Sequence, residues 1–386
     1  MNILFVWDKP NVGGVVTVTE FLANKFVEKS HNVSVLFLWG KSEFSMVEFD
    51  KKVDVIYGEE KKISKYNIGL VSRIITEKSI DVIINQMGGN VYFAYTLYKA
   101  SKNTHAKIVA IYHNAPNYNT RLHKATLELE KQTKPFQILL AKIKHFIIKK
   151  ATSATMRYSY HHSDYFVLLS KKFIPAFQSF TGISYPEKLF VINNPTTIRE
   201  NDCHIDRVKE KIMLYVGRLE ESQKRFSRIL EVWKEIEPKL SEWRLLVVGD
   251  GPDRMIYEKY VNDNALKNIS FEGYQQPISY YQTASILLLT SDYEGWGLIL
   301  CESMRFGCVP VILGSYDSCY DIVDNNHNGI ILPVPFNIKE WNDTIIKLVN
   351  SPKLLQQMSR MAINDSARFN INSIYNQWIS FFNEIL

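Results

Sequence analysis

The sequence lacks the marks of a membrane-spanning or secreted protein. No apolar run approaches the roughly 20 residues that a transmembrane helix needs. The apolar run at the start of the sequence stops before Asp8, so it is too short for a signal peptide. The cysteines show none of the spacings of metal sites, so we expect free thiols in a cytoplasmic protein. They are Cys203, Cys301, Cys308 and Cys319.

Motifs for common cofactors and metals are also missing. Gly13 and Gly14 follow an apolar segment, but no third glycine completes a dinucleotide-binding fingerprint, which excludes a nicotinamide enzyme. No Asp-x-Asp motif ends a predicted strand, and no His/Cys/Asp cluster has metal-ligand spacing. We therefore expect no cofactor and metal-independent chemistry. No nucleic-acid-binding motif is recognisable, which argues against nucleic acid as a partner.

What the sequence does contain is an alternation of strand-like and helix-like segments. This pattern predicts an α/β protein with doubly wound parallel sheets, and 386 residues suffice for two such domains. Ligands of these sheets bind at the carboxyl ends of strands. The predicted strands include 3–7, 33–38, 53–57, 81–85, 107–113, 165–169, 212–216, 245–248, 286–289, 309–313 and 330–334.

Charge is distributed unevenly along the chain. Residues 1–200 hold 27 Lys and Arg against 16 Asp and Glu, a net charge of +11, whereas residues 201–386 carry a net charge of −5. A basic first half and an acidic second half predict two domains with different partners. A positive surface is suited to anionic phospholipid or a lipid diphosphate.

The segment from Thr290 to Pro310 carries the most specific pattern. It follows an apolar run of strand type, contains two glycines within three residues, and turns helical at Leu298. A strand, a glycine-containing turn and a helix start can bind anions and sugars, because the first helical N–H groups have no partner within the helix. Glu294 and Glu302 stand on either side of this turn with seven residues between them.

This segment resembles the motif of the retaining nucleotide-sugar glycosyltransferases of family four, including enzymes of capsule and lipopolysaccharide synthesis. The resemblance implies a GT-B fold, in which two Rossmann-like domains face a cleft. It also implies that the two glutamates hold the sugar and the ribose of the donor, with Glu294 near the reaction centre. The donor-binding residues implied in this segment are Glu294, Gly295, Trp296, Gly297, Leu298 and Glu302. Trp296 stands where a smaller aromatic residue is expected.

A second group of candidates follows earlier strands of the same half. Arg218 ends a predicted strand and Lys224 precedes a helix, so both cations can reach one diphosphate and stabilise the charge that develops as it leaves. The family pattern of Gly-Arg-Leu, a short loop and Lys is similar. The resemblance also places the turn at Gly273 and Tyr274 beside the nucleobase, although Tyr274 is equally well explained by packing.

The first half contributes three candidates. Gly13 and Gly14 follow the first predicted strand, where a glycine pair is often only a tight turn. The resemblance implies that they let a substrate approach the backbone. It also implies that His113, at the end of another predicted strand, contacts the donor sugar in a binding or polarising role.

The segment Lys134–Lys150 predicts a basic amphipathic helix. One predicted face carries Phe136, Leu139, Leu140, Ile143 and Ile147, and the other carries Lys142, His145 and Lys149. Such a helix can lie on an anionic membrane, or its apolar face can pack in the protein core. The sequence leaves both interpretations open.

We expect domains at 1–200, which would bind the acceptor, and at 201–368, which would bind the nucleotide sugar. A final helix at 369–386 has an apolar stripe and is expected to cross back to the first domain. The predicted function is sugar transfer from a nucleoside-diphosphate sugar, preferably a UDP-sugar, to a glycan or lipid-linked glycan. The alternatives are a GDP-mannose-dependent enzyme, a nucleotide-sugar epimerase and a non-catalytic sugar-binding protein. A glycoside hydrolase is disfavoured, because its paired carboxylates do not need the two cations.

Overall fold

The structure is a computed structural model that describes residues 1–10, 13–40, 47–59, 63–199, 202 and 208–386. Cys203 lies outside these ranges. The chain divides into two compact units. The first contains Met1–Pro195 together with Ile371–Leu386, and the second contains Thr196–Asn370. No described helix is long and apolar enough to cross a bilayer.

The first unit is built on a sheet of seven parallel strands. Their order in space is β3-β2-β1-β4-β5-β6-β7. Central strands carry unbroken apolar runs because helices cover both faces of the sheet, and Ile3–Val6 have no exposed surface. The strands are β1 Asn2–Trp7, β2 Asn32–Phe37, β3 Asp54–Tyr57, β4 Val82–Asn85, β5 Lys107–Tyr112, β6 Tyr165–Leu168 and β7 Leu189–Val191.

In the described part of this unit, six α-helices lie between the strands. Side-chain caps fix several of their starts, as at Ser64, Asn90 and Asn119, whose oxygens accept from backbone N–H groups of the first turn. The helices are α1 Gly14–Glu28, α2 Lys65–Glu77, α3 Val91–Ser101, α4 Thr120–Glu130, α5 Pro135–His161 and α6 Phe173–Thr181.

The second unit has a sheet of six parallel strands in the order β10-β9-β8-β11-β12-β13. The strands are β8 Glu210–Val216, β9 Arg244–Val248, β10 Ile269–Gly273, β11 Ala284–Leu289, β12 Val309–Leu313 and β13 Ile330–Leu332. Its helices are α7 Glu221–Lys224, α8 Phe226–Ile236, α9 Arg254–Asp263, α10 Ile278–Thr283, α11 Leu298–Arg305, α12 Cys319–Ile322, α13 Ile338–Val349 and α14 Pro352–Ser366.

Each sheet has one position where the order of strands reverses. In the first unit this switch point lies between β1 and β4, and in the second unit it lies between β8 and β11. A crevice opens there at the carboxyl ends of the strands, because the helices that follow the two strands lie on opposite faces. Ligand sites are therefore expected after β1 and β4 and after β8 and β11.

The last helix, α15 (Ile371–Ile385), belongs to the first unit. It packs on α1, where the ring of Phe26 lies 5.4 Å from that of Tyr375 and 5.8 Å from that of Phe382. Trp378 and Phe382 are buried in this contact layer. The predicted fold class, two Rossmann-like parallel-sheet domains with helices, is confirmed.

Candidate functional site

Two of the predicted donor-binding side chains meet at the switch point of the second unit. The Nζ of Lys224, at the end of α7, lies 2.5 Å from Oε1 of Glu294, which follows β11. Each side chain is 13% exposed. The pair is therefore shielded from most of the solvent but can still be reached by a ligand, and it joins a cation suited to phosphate to a carboxylate suited to sugar hydroxyls.

Asp292 holds the two segments that carry this pair together. Its carboxylate accepts from Nε of Arg225 at 2.6 Å and from the guanidinium of Arg228 at 2.7 Å. The side-chain amide of Gln223 donates to the carbonyl of Tyr293 at 3.1 Å. These bonds fix the start of α8 against the end of β11, and so they fix the separation of Lys224 and Glu294.

Arg225 adopts a left-handed backbone conformation, with φ of 50° and ψ of 43°. This region is unfavourable for a residue with a Cβ and is normally taken by glycine. The guanidinium pairs with Asp292 and also lies 3.5 Å from Glu221. The ion pairs offset the backbone cost and hold a turn that separates α7 from α8.

Arg218 stands on a neighbouring loop whose shape depends on glycines. A Cβ on Gly249 would lie 1.9 Å from the carbonyl oxygen of Gly217, and one on Gly251 would lie 2.3 Å from that of Leu219. Only glycine allows the loop after β9 to approach the loop after β8 this closely. The Arg218 side chain is 67% exposed and contacts Glu220 at 3.2 Å, so it is free to turn toward a ligand.

Glu302 lies on α11 and is buried. Its two oxygens accept from the hydroxyls of Thr197 and Tyr281, the latter at 3.2 Å. Burial raises the pKa of Glu302, while its hydrogen bonds with Thr197 and Tyr281 act in the opposite direction. The side chain of Glu302 is thus fixed by its neighbours and shielded from solvent. A carboxylate has about four lone-pair positions, so the bonds from Thr197 and Tyr281 leave room to accept from a ligand hydroxyl.

The turn between Glu294 and α11 contains the other predicted residues of the segment. Gly297 is left-handed, with φ of 90°, and it caps the start of α11 at Leu298. Trp296 is 3% exposed and packs edge-on against Phe369, with ring centroids 5.4 Å apart. Trp296 is therefore buried in the second unit as a support of the turn, and Gly295 and Leu298 are partly exposed.

Gly273 and Tyr274 follow β10 in the same unit. Gly273 is left-handed, with φ of 73°, and its carbonyl accepts from the N–H of Gly249 at 2.7 Å. This bond ties the turn to the loop that supports Arg218. Tyr274 is 56% exposed, so it is not part of the buried core.

The candidates of the first half lie in the first unit. Gly13 and Gly14 are exposed at the start of α1, and none of the described atoms lies within 4 Å of a Cβ built on Gly13. Packing among the described residues does not require a glycine there. His113 follows β5, and its Nε2 lies 2.6 Å from Oε1 of Gln86.

Sequence reasoning missed the residues that support the candidates. Asp292, Arg225 and Arg228 carry the ion pairs beside Lys224, and Thr197 with Tyr281 holds Glu302. The sequence indicated these ion pairs only through the two arginines that soon follow Lys224 and the acid two residues before Glu294. Their pairing depends on the adjacency of β8 and β11, which the sequence does not state.

Residues 200–365 match the family described as Glycosyl transferases group 1. This match covers less than half of the chain and lies within its second unit. Among curated proteins the chain is 29% identical over 189 residues to an uncharacterized glycosyltransferase of Haemophilus influenzae, covering 48% of this chain and 53% of that protein. It is 28% identical over 203 residues to a poly(ribitol-phosphate) alpha-N-acetylglucosaminyltransferase of Staphylococcus aureus, covering 51% of this chain and 40% of that protein. The chain thus spans about half the length of these relatives.

A solved structure is similar over the whole length of the chain. The structure of HepE from Anabaena in complex with UDP-glucose covers 100% of both chains with a TM-score of 0.72 and 15% identity. At this identity the similarity shows the fold alone. The predicted resemblance to GT-B glycosyltransferases is confirmed by the match of the second unit and by the fold of the whole chain.

Proposed function

We propose that the protein transfers a sugar from a nucleoside-diphosphate sugar, with UDP-sugars favoured, to a glycan or lipid-linked glycan. The observation that carries the proposal is the 2.5 Å contact of Lys224 with Glu294 at the switch point of the second unit. Donor binding replaces this contact in part, because Lys224 gains phosphate oxygens and Glu294 gains sugar hydroxyls. Two charged groups already placed side by side need little reorganisation.

The remaining residues of this edge have defined tasks in the proposal. Arg218 turns its exposed guanidinium onto the diphosphate, and Glu302 accepts hydrogen bonds from the ribose diol. The backbone at Gly273 and Tyr274 lies beside the nucleobase. The N–H groups that open α11 add a fixed positive potential near the sugar and phosphate.

We propose that transfer is metal-independent and retains the anomeric configuration. The bond from the anomeric carbon to the diphosphate oxygen breaks, and the acceptor oxygen attacks from the same face. The acceptor proton passes to a donor phosphate oxygen, so no protein nucleophile is needed. Lys224 and Arg218 stabilise the charge that the leaving diphosphate gains.

The acceptor is proposed to belong to a cell-surface polysaccharide. The Staphylococcus aureus relative is named for transfer to poly(ribitol-phosphate), and the basic first half of this chain is suited to a polyanionic or lipid-diphosphate acceptor. His113, Gly13 and Gly14 of the first unit are the residues offered to the sugar and acceptor.

Part of the proposal is that α5 binds an anionic membrane. The support is the exposure of its apolar face, where six large apolar side chains are 49–70% exposed. The opposite face, with Ala141, is the buried one. The helix has four lysines, one arginine and no acidic residue. The exposed residues are Phe136, Leu139, Leu140, Ile143, Phe146 and Ile147.

Vesicle sedimentation tests this part. We expect the protein to bind vesicles of phosphatidylcholine with phosphatidylglycerol and to bind pure phosphatidylcholine weakly. The triple variant Leu139→Ser, Ile143→Ser, Ile147→Ser should lose binding, whereas the matched control Met255→Ser, Ile256→Ser on the exposed face of α9 should keep it. Equal binding of both variants, or concentration-dependent self-association through the α5 face without vesicle binding, would contradict the proposal.

A donor panel tests the main proposal. Purified protein is incubated with UDP- and GDP-sugars with and without glycan acceptors, and nucleotide release and sugar transfer are measured. Consumption of GDP-mannose alone would replace the UDP preference by the mannosyltransferase alternative. Conversion of the sugar without an acceptor would indicate the epimerase alternative, and binding without turnover would indicate a sugar-binding protein. Neither binding nor consumption of any donor would refute the proposal.

A further inference from the structure

Trp7, Gln86 and His113 lie at the carboxyl ends of three neighbouring strands of the first unit. They end or follow β1, β4 and β5, next to the switch point between β1 and β4. Their side chains are in contact or close, since the rings of Trp7 and His113 meet edge-on with centroids 6.4 Å apart and Gln86 bonds His113. This is the edge at which a doubly wound sheet binds ligands.

Two glycines hold the loop of Gln86 against β5. A Cβ on Gly88 would lie 2.4 Å from the carbonyl oxygen of Ile111, and one on Gly89 would lie 2.6 Å from the ring of Tyr112. The N–H of Gly88 donates to the carbonyl of Ile111 at 3.0 Å. The loop after β4 therefore lies directly on the last residues of β5, and this contact brings Gln86 to His113.

The contact determines the tautomer of the histidine. Oε1 of Gln86 can only accept a hydrogen bond, so Nε2 of His113, 2.6 Å away, is the nitrogen that carries the proton. Burial lowers the pKa of His113 to about 3, so the ring is neutral near pH 7. Its Nδ1 then presents a lone pair.

That lone pair has no partner among the described residues, although Nδ1 is buried. The Nε1 of Trp7 and the Nε2 of Gln86 are also buried and have no partner among the described residues. A buried polar atom without a partner is unfavourable unless a ligand supplies the missing hydrogen bond. The N–H group of Trp7 and the lone pair of His113, at one ligand-binding edge, match the hydroxyl groups of a carbohydrate, each of which can donate and accept.

We infer that Gln86 is a positioning residue that holds His113 with Nδ1 as the acceptor for a hydroxyl group of the sugar substrate. The inference deepens the proposed function and rests on it for the identity of the ligand. Gln86 acts through the ring, because its own oxygen is occupied by Nε2. In the absence of Gln86 the ring can carry its proton on either nitrogen, and the form with a proton on Nδ1 cannot accept.

The tautomer is measured directly in the free protein, independently of any activity. In protein labelled with 15N-histidine, long-range proton–nitrogen spectra distinguish protonated from unprotonated ring nitrogens, and His113→Phe identifies the signal. We expect wild-type protein to show unprotonated Nδ1 and protonated Nε2, and Gln86→Met to show a mixture. A proton on Nδ1 in the wild-type protein would overturn the inference, whether or not the donor panel finds a substrate.

A double-mutant cycle separates positioning from a general packing role. With UDP-glucose or the donor that the panel identifies, Gln86→Met should lower kcat/KM about tenfold, the worth of roughly one hydrogen bond. The same change in a His113→Phe background should have no further effect, because the residue it acts through is gone. Asn342→Leu, which removes another buried amide far along the chain in α13, should change kcat/KM little. Additive losses in the double variant, or equal losses in Gln86→Met and Asn342→Leu, would overturn the inference.

Discussion

The neutral His113 makes the stability of the first unit depend on pH. Its pKa is about 3 in the folded protein and near 6.5 when the chain is unfolded. Between these pH values the unfolded chain binds more protons than the folded protein. The free energy of unfolding therefore increases as the pH rises through this window and decreases as the pH falls through it.

We therefore expect wild-type protein to lose up to about 2 kcal/mol more than His113→Asn when the pH is lowered from about 7 to about 5. Asparagine does not titrate, so the variant lacks this dependence while sharing all other groups. Urea unfolding of both proteins at both pH values is the measurement. A parallel loss in the two proteins would show that His113 does not carry it.

Arg225 provides a second test, because its ion pair stabilises the protein while its left-handed backbone conformation destabilises it. Alanine removes the ion pair with Asp292 and keeps the cost of the left-handed backbone, whereas glycine removes both. We expect Arg225→Gly to be more stable than Arg225→Ala by about 1 kcal/mol. Thermal unfolding of the two variants measures the difference.

Lys259 is the matched control for Arg225. It is an exposed cation inside α9 and pairs with Asp263 at 2.5 Å. In a helix interior glycine is worse than alanine by about 1 kcal/mol, so the order of the two substitutions should be reversed there. The same order at both positions would contradict the role assigned to the left-handed turn.

The loops that follow the strands set the positions of the candidate side chains. Gly249 lies in the loop whose packing leaves least room for a side chain. A Cβ there meets the carbonyl oxygen of Gly217 at 1.9 Å, and φ is 139°. We expect Gly249→Ala to destabilise the second unit by about 2 kcal/mol or more and to weaken donor binding, because the loop of Arg218 must move.

Gly69 supplies the control for this substitution. It lies inside α2, and a Cβ on it meets none of the described atoms within 4 Å. Gly69→Ala should therefore stabilise by about 0.5–1 kcal/mol. Differential scanning calorimetry of both variants checks the two signs, and destabilisation by Gly69→Ala would refute the steric argument.

Strands and helices could be predicted where the pattern of apolar residues was strong. The candidate site could be predicted where a local sequence motif existed. Apolar runs such as Ile286–Leu289 gave the strands, and the spacing of Glu294 and Glu302 indicated the edge of the sheet that carries them. The exposure of the apolar face of α5 was not predictable, since its pattern fits a core helix equally well. Gln86 was missed for a similar reason, because its contact with His113 exists only through the pairing of β4 with β5.

Over the whole chain, length and alternation predict two doubly wound units, and both sheets are present. The order of strands, which puts Lys224 beside Glu294, is a tertiary property that no local pattern contains. The association of Ile371–Leu386 with the first unit likewise depends on what its apolar stripe meets, here Phe26 of α1.

The central claim is that the switch point of the second unit binds a nucleoside diphosphate through Lys224. Isothermal titration of UDP and GDP into wild-type protein and Lys224→Met tests it most directly, with Lys259→Met as the charge-matched control. We predict that wild-type protein and the control bind one of the two nucleotides equally well, and that Lys224→Met binds it at least about tenfold more weakly. Binding of neither nucleotide, or equal binding by all three proteins, would contradict the claim.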